Sequence, residues 1–296
     1  MLDRSQILDQ AKSRPAKAGL DTELVKAAGS STPFVSIAGV SKRFDTGPTE
    51  ITALSDVDLV INKHEFLALI GPSGCGKSTI LRLIAALDTP TTGNVTIDGT
   101  LTPANFVKDA RLGIAFQDHA LLPWLSAFDN VALPFKVTGR SVDAERVTWL
   151  LRLMGLKGFE HARPKQLSGG MRQRVAIARS LVLKPDLLLL DEPFGSLDSV
   201  TRRRLNIEMQ RLWSDDRLTT LLVTHSVEEA IFLADRVLVM SARPGCIRLE
   251  KLVPFPRPRV PEMMRSAEFH HLADELTAAL DSFEDTTDPR AGAADV

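Results

Sequence analysis

A chain of 296 residues, 44% hydrophobic and 25% charged, has the make-up of an ordinary globular protein able to bury one large core or two small ones. A formal net charge of −1 gives no overall basic field for nucleic acid, and two cysteines, Cys75 and Cys246, support neither a disulfide framework nor a zinc site. The longest aliphatic run, Leu187 to Leu190, is far short of the ~20 residues that span a bilayer, and no apolar stretch follows Met1 as a secretory signal requires. The expected location is therefore cytosolic, unless something else carries the chain to a membrane.

Residues 1–33, with Pro15, Gly19 and a closing Gly29-Ser-Ser-Thr-Pro33 linker, are expected to form a flexible or briefly helical extension. Alternation from Phe34 predicts a strand, and Ile51 to Ile61 predicts a second after a turn at Gly47-Pro48. Phe66 to Ile70 reads as a buried strand running into Gly71, followed by a helix over Ser78 to Leu87 and a short strand within Gly93 to Gly99. Periodicity makes 126–183 mostly helical, including Val142 to Met154 and Gly169 to Val182. Leu187 to Leu190, Thr220 to Val223 and Val237 to Met240 are expected strands, with a charged helix from about Ser199 to Ser214 between the first two. The proline-dense run Pro254 to Pro261 must be extended, and an amphipathic helix follows from about Ala267 to Phe283. Strands alternating with helices predict an α/β core at 34–245 with a helical insertion near 126–183, leaving 246–296 as a Pro-rich segment and terminal helix.

Gly71-Pro-Ser-Gly-Cys-Gly-Lys77-Ser78-Thr79 lies between a predicted strand and a predicted helix, the context in which such a loop turns its backbone N–H groups onto phosphate oxygens. Lys77 there supplies a cation for the β- and γ-phosphates and Ser78 an oxygen for Mg²⁺. Leu187 to Leu190 delivers Asp191 to a strand end, where α/β folds bind ligands, and Glu192 beside it can accept a proton from an attacking water. In isolation, four further features also have plain structural explanations. Gln117 could be solvated, Ser168-Gly-Gly and Asp198 could be helix caps, and His225 could be a strand-end histidine.

Taken in order, the loop at 71–79, Gln117, Leu167-Ser-Gly-Gly-Met-Arg-Gln-Arg174, Asp191-Glu192, Ser196-Leu-Asp198 and His225 resemble the ATPase of ATP-binding-cassette (ABC) transporters over about residues 34–245. The resemblance implies a P-loop NTPase domain of ABC type, with an antiparallel β subdomain and a helical subdomain. It implies ATP and Mg²⁺ as ligands, with Gln117 sensing metal and water, His225 near the γ-phosphate and Glu192 as base. It also implies a homodimer in which Ser168, Gly169 and Gly170 of one chain meet the ATP held by the other, with Asp198 crossing between them. A single chain would then hold half of each site and be nearly inactive.

Phe44 aligns with the adenine-stacking aromatic; the chain has no tyrosine, and stacking needs only a π-face. A core phenylalanine at a strand end is the alternative. Ser226 departs from the aspartate common after the histidine. Cys75, at a helix N-terminus, is expected to have a lowered thiol pKa, so that alkylation blocks activity. Leu121, Leu122, Pro123 and Trp124 form an apolar patch that, by the resemblance, receives a membrane permease; core packing is the alternative. Their wording, Phe194-Gly-Ser-Leu-Asp198 and the tail Met240-Ser-Ala-Arg-Pro-Gly245 resemble nitrate, sulfonate and taurine importers, which work with a separate solute-binding protein. Cassettes acting on DNA or ribosomes, and exporter ATPases, are the competing classes. The interval between Lys77 and Leu167 is too short for a long coiled-coil insertion, and only one cassette is present.

Overall fold

The computed structural model describes residues 33–45, 47, 49–99, 104, 106, 111–195, 197–216 and 218–284. The expected extension at 1–33 lies outside the described residues except for Pro33, and so does Ser196.

Two sheets organise the chain. β1 (Pro33–Asp45) pairs antiparallel with both β2 (Glu50–Asn62) and β4 (Thr92–Ile97), giving the order β2-β1-β4. The larger sheet is built from β3 (Phe66–Ile70), β5 (Leu112–Ala115), β6 (Leu187–Asp191), β7 (Thr219–Val223), β8 (Arg236–Met240) and β9 (Ile247–Leu252), in the order β5-β6-β7-β3-β8-β9. Neighbours are parallel except for the β8–β9 hairpin. Every residue of β3, β6 and β7 is buried, as expected of parallel strands covered on both faces.

The helices are α1 (Lys77–Ile84), α2 (Ala127–Val137), α3 (Ala144–Leu153), α4 (Gly169–Leu181), α5 (Ser199–Asp216), α6 (Val227–Leu233) and α7 (Ala267–Glu284). Their starts follow local chemistry. Ser126, Asp143, Ser168 and Ser226 each accept the backbone N–H three residues on, the standard N-cap bond. α2, α3 and α4 occupy the stretch expected to be helical, with a 3₁₀ turn at Pro164–Gln166 between α3 and α4. Ser226, which departs from the common aspartate, is thus the cap of α6.

Three elements have no counterpart among the expected ones: β5, α6 and β9. The division at residue 245 falls inside the β8–β9 hairpin. The chain beyond it completes the same body, because β9 extends the main sheet and Phe269, Leu272 and Leu276 of α7 join the core formed by Ile231, Phe232 and Val237. The proline-dense segment forms no helix before a 3₁₀ turn at Pro261–Arg265, but it is not extended throughout, since the chain bends at Arg257 and Pro258. It carries Arg257 and Arg259 against the end of α6, where Arg259 is buried and donates to the carbonyls of Ile231 (2.9 Å), Phe232 (3.2 Å) and Ala234 (2.6 Å).

Candidate functional site

The site forms at the C-terminal ends of four adjacent strands, where the loops after β5, β6, β7 and β3 carry Gln117, Asp191 and Glu192, His225 and the 71–79 loop respectively. The last of these wraps back on itself before α1. Gly74 (φ +74°) and Gly76 (φ +104°) adopt conformations that side-chain-bearing residues rarely take, and a Cβ at Gly76 would lie 2.6 Å from Leu54 Cδ2. Lys77 is buried, and its ammonium donates to the carbonyls of Gly71 and Pro72, both at 2.7 Å. Pro72 and Thr79 are half-buried, whereas Ser73 and Ser78 are exposed at the mouth of the loop.

Ser78 Oγ donates to Asp191 Oδ1 at 3.2 Å, joining the loop to the end of β6. Burial pushes the Asp191 carboxyl up from its usual range, opposed by the Ser78 bond and raised further by the charge of Glu192. A hydroxyl and a carboxylate oxygen set side by side are hard oxygen donors that fit Mg²⁺.

Glu192 is the meeting point of the remaining polar groups. Gln117 Nε2 donates to its Oε2 at 3.1 Å, and His225 Nδ1 lies 3.5 Å from the same oxygen. Its backbone is left-handed (φ +46°) and held on both sides: its N–H donates to Val223 O at 2.9 Å, and its carbonyl accepts from Gly195 N and from Gln173 Nε2. A non-glycine residue kept in this conformation stores roughly 1–3 kcal/mol, a pattern concentrated at functional sites.

The other candidates lie elsewhere. Ser168 Oγ accepts from Met171 N at 3.2 Å, capping α4, with Gly169 and Gly170 forming its first turn. Asp198 Oδ1 accepts from Val200 N (3.1 Å) and Thr201 N (2.9 Å), and these bonds hold its carboxyl below the usual range. Both residues therefore do act as helix caps, each taking up N–H groups of the first turn that follows it. Phe44 is not a core residue: it is partly exposed at the end of β1, with the Lys42 ammonium 4.9 Å from its ring centroid.

In the apolar patch Leu121 packs against the core, whereas Trp124 is 67% exposed. Wholly buried Asn130 shapes this loop, accepting from Leu122 N at 2.8 Å and donating to the carbonyls of Leu122, Leu125 and Ser126. Arg179 of α4 donates to His119 O and Ala120 O, tying the helix that begins at Ser168 to the segment after Gln117.

Cys75 requires a correction. Its thiol is buried and its pKa is raised, burial outweighing the favourable charge of Lys77. The N-terminus of α1 does not activate it, because Met240 and Gly245 of the β8–β9 hairpin cover the loop at this point. In the folded chain at about pH 7.5, iodoacetamide is expected to modify the partly exposed Cys246 and leave Cys75 intact; mass spectrometry of the labelled peptides reads this directly, and rapid labelling of Cys75 would contradict its burial.

Sequence reasoning also missed Glu229. It is buried, accepts from Thr224 Oγ1 at 2.5 Å, and its N–H donates to Ser226 Oγ, so the network encloses the His225 backbone. The signal was the Ser226-Val-Glu-Glu229 spacing of a capping box. Burial raises its pKa above the unfolded value of 4.5, so its contribution to stability is complete below that pH and lost as pH rises through the folded-state value. Glu229→Gln should therefore gain stability relative to the parent as pH rises above about 5, read as urea midpoints; a constant difference would place the proton elsewhere.

Comparison with known proteins adds to this geometry. Residues 54–195 match the family model described as ABC transporter. The chain is 43% identical over 260 residues to the nitrate import ATP-binding protein NrtD of Synechococcus elongatus, spanning 86% of this chain and 93% of that one. It is 42% identical to the aliphatic sulfonates import ATP-binding protein SsuB of Bacillus cereus, spanning 77% and 90%. Among solved structures, a dimeric ATP-binding cassette in a post-hydrolysis state with ADP and Pi superposes with a TM-score of 0.69 at 35% identity, covering 75% of this chain and all of that one.

Proposed function

Because the chain belongs to the ABC transporter family, we propose that it is the ATP-hydrolysing subunit of an importer for small oxyanions of the nitrate, sulfonate and taurine type. The observation that carries this is the convergence of Gln117, Asp191, Glu192 and His225 beside the Lys77 loop, together with relatives named for nitrate and sulfonate import.

Backbone N–H groups of the loop and the Lys77 ammonium bind the phosphates, while Phe44 offers a ring face to the adenine. Ser78, Asp191 and Gln117 would hold Mg²⁺, whose chemistry when bound is to neutralise phosphate charge. Glu192 accepts the proton of the attacking water, and Gln117 and His225 fix its carboxylate from two sides. Ser168, Gly169, Gly170 and Asp198 serve the nucleotide of a second copy across a two-fold axis. ATP drives closure only through tighter binding to the closed pair.

No described helix is long and apolar enough to cross a membrane, so membrane attachment falls to permease subunits seated at Leu121–Trp124 on the cytoplasmic face. A separate solute-binding protein selects the cargo. Reconstitution in vesicles with the permease and solute-binding protein that co-purify with this chain tests the proposal. ATP-dependent uptake of nitrate or an alkanesulfonate is the expected result. Uptake of some other solute class would remove the oxyanion assignment, and co-sedimentation with ribosomes or DNA instead of the permease would overturn the importer.

A further inference from the structure

The six-residue loop of the β8–β9 hairpin, Ser241 to Cys246, has a use that the proposed catalytic groups leave unassigned. It lies against the outer side of the phosphate loop. The Arg243 guanidinium donates to the Gly74 carbonyl through Nη2 at 3.1 Å and Nε at 3.3 Å. Two residues on, Gly245 sits so close to the next carbonyl that a Cβ there would lie 1.9 Å from Cys75 O. Gly245 is also locked to β2, donating to Ala53 O at 2.9 Å and accepting from Ser55 N at 3.0 Å. Ser241 closes the hairpin through Cys246, and Ala242 N–H donates to Phe283 O at the end of α7.

In a trans peptide the carbonyl of one residue and the N–H of the next point in opposite directions. Holding the carbonyls of Gly74 and Cys75 from behind therefore sets the direction of the Cys75 and Gly76 N–H groups. These are two of the donors a phosphate loop aims at its ligand. Gly74 and Gly76 have no side chain to limit rotation of these peptides, and Cys75 N–H makes only a long bond of 3.4 Å to Pro72 O. Without the contacts of Arg243 and Gly245, the two peptide planes would lose a restraint and the competent loop would be diluted.

We propose that Arg243, seated on Gly245 and braced by α7, is a positioning residue for the phosphate loop, fixing the peptide planes after Gly74 and Cys75 for binding the phosphates of ATP. This gives the segment after Met240 a part in nucleotide affinity, and it rests on ATP binding at the Lys77 loop. The fraction of loops in the competent arrangement scales the observed affinity, so its loss appears in binding before it appears in turnover.

The test is steady-state ATPase activity together with binding of a fluorescent ATP analogue, for the full chain and for Arg243→Ala, Arg243→Gln and Lys77→Ala. Arg243→Ala is expected to raise KM and the analogue Kd about 3- to 10-fold with kcat within about twofold, and Arg243→Gln, which keeps one donor, should fall between. An unchanged Kd in an Arg243→Ala chain that melts like the parent would overturn the proposal. So would a fall in kcat and melting temperature with KM unmoved, which is the mark of a merely structural contact. Should the alanine variant not fold, Arg243→Gln carries the same comparison, and parental affinity there overturns the proposal. A parent chain that binds no analogue, or binds it equally well after Lys77→Ala, would instead refute ATP binding at this loop.

Discussion

Replacing Glu192 by glutamine is expected to lower ATP turnover by about 10²–10⁴-fold while nucleotide binding persists. The amide is almost the same size, so its oxygen can still accept from Gln117 Nε2, and the left-handed backbone is anchored by Val223, Gly195 and Gln173 rather than by the side chain. What disappears is the proton acceptor that touches both Gln117 and His225. With hydrolysis slowed and binding intact, ATP and Mg²⁺ should hold two copies together. Light scattering behind a sizing column would then report twice the monomer mass for the variant, and less for the parent as it consumes its ATP. Parental kcat would remove Glu192 from its role as base. A slow variant that stays monomeric would instead separate the base from the shared-site arrangement.

Arg259→Met carries the second large effect, on stability. Two opposing effects decide its size. The guanidinium is buried, and burial with the neighbouring charge of Arg257 pushes its pKa down to about 10, so removing it relieves a desolvation cost. Against that, the carbonyls of Ile231, Phe232 and Ala234 lose their donor in a place water does not reach, at roughly 1–3 kcal/mol for each one left unsatisfied. The second effect wins because three acceptors depend on one side chain. A net loss of about 2–4 kcal/mol should lower Tm by about 3–7 °C in a chain of this size. Arg259→Lys should recover part of it. A melting curve identical to the parent would show that the end of α6 finds its partners elsewhere.

Much of this site is legible in the residues alone, for a physical reason. Phe66–Ile70, Leu187–Leu190 and Thr219–Val223 are short, buried on both faces and end directly in chemistry, so composition and position agree. Ser126 and Ser168 mark helix starts because a cap is local chemistry, whereas the same signal at Ser226 went unread. β5 escapes such reading because four residues including a glycine give no periodicity. Gly113 is required by packing alone, since a Cβ there would lie 2.2 Å from Ser180 O. β9 hides its role behind the polar alternation of an edge strand, Ile-Arg-Leu-Glu-Lys-Leu. Cys75, Arg243 and Arg259 defeat local reasoning for a common reason. Each takes its character from a segment distant in sequence, so a thiol expected to be reactive is sealed, Arg243 meets the Gly74 carbonyl and Arg259 meets the end of α6.

The four consecutive leucines of β6 have one more consequence. Register in a half-buried strand is written in its alternation, but β6 is buried throughout and its leucines are interchangeable. Nothing in their own side chains distinguishes one frame from the next. The frame is set by the flanks: Asp186 and Leu187 are held by Arg111 O, and Asp191 is paired with Val223 at the other end. Deleting a single leucine would thus leave the hydrophobicity of the strand almost untouched while turning the two acidic residues through half a rotation. A lesion that hydropathy does not register would carry Glu192 into the place of Asp191 and draw Asp191 back into the buried strand. In this strand the spelling is redundant and only the count carries meaning.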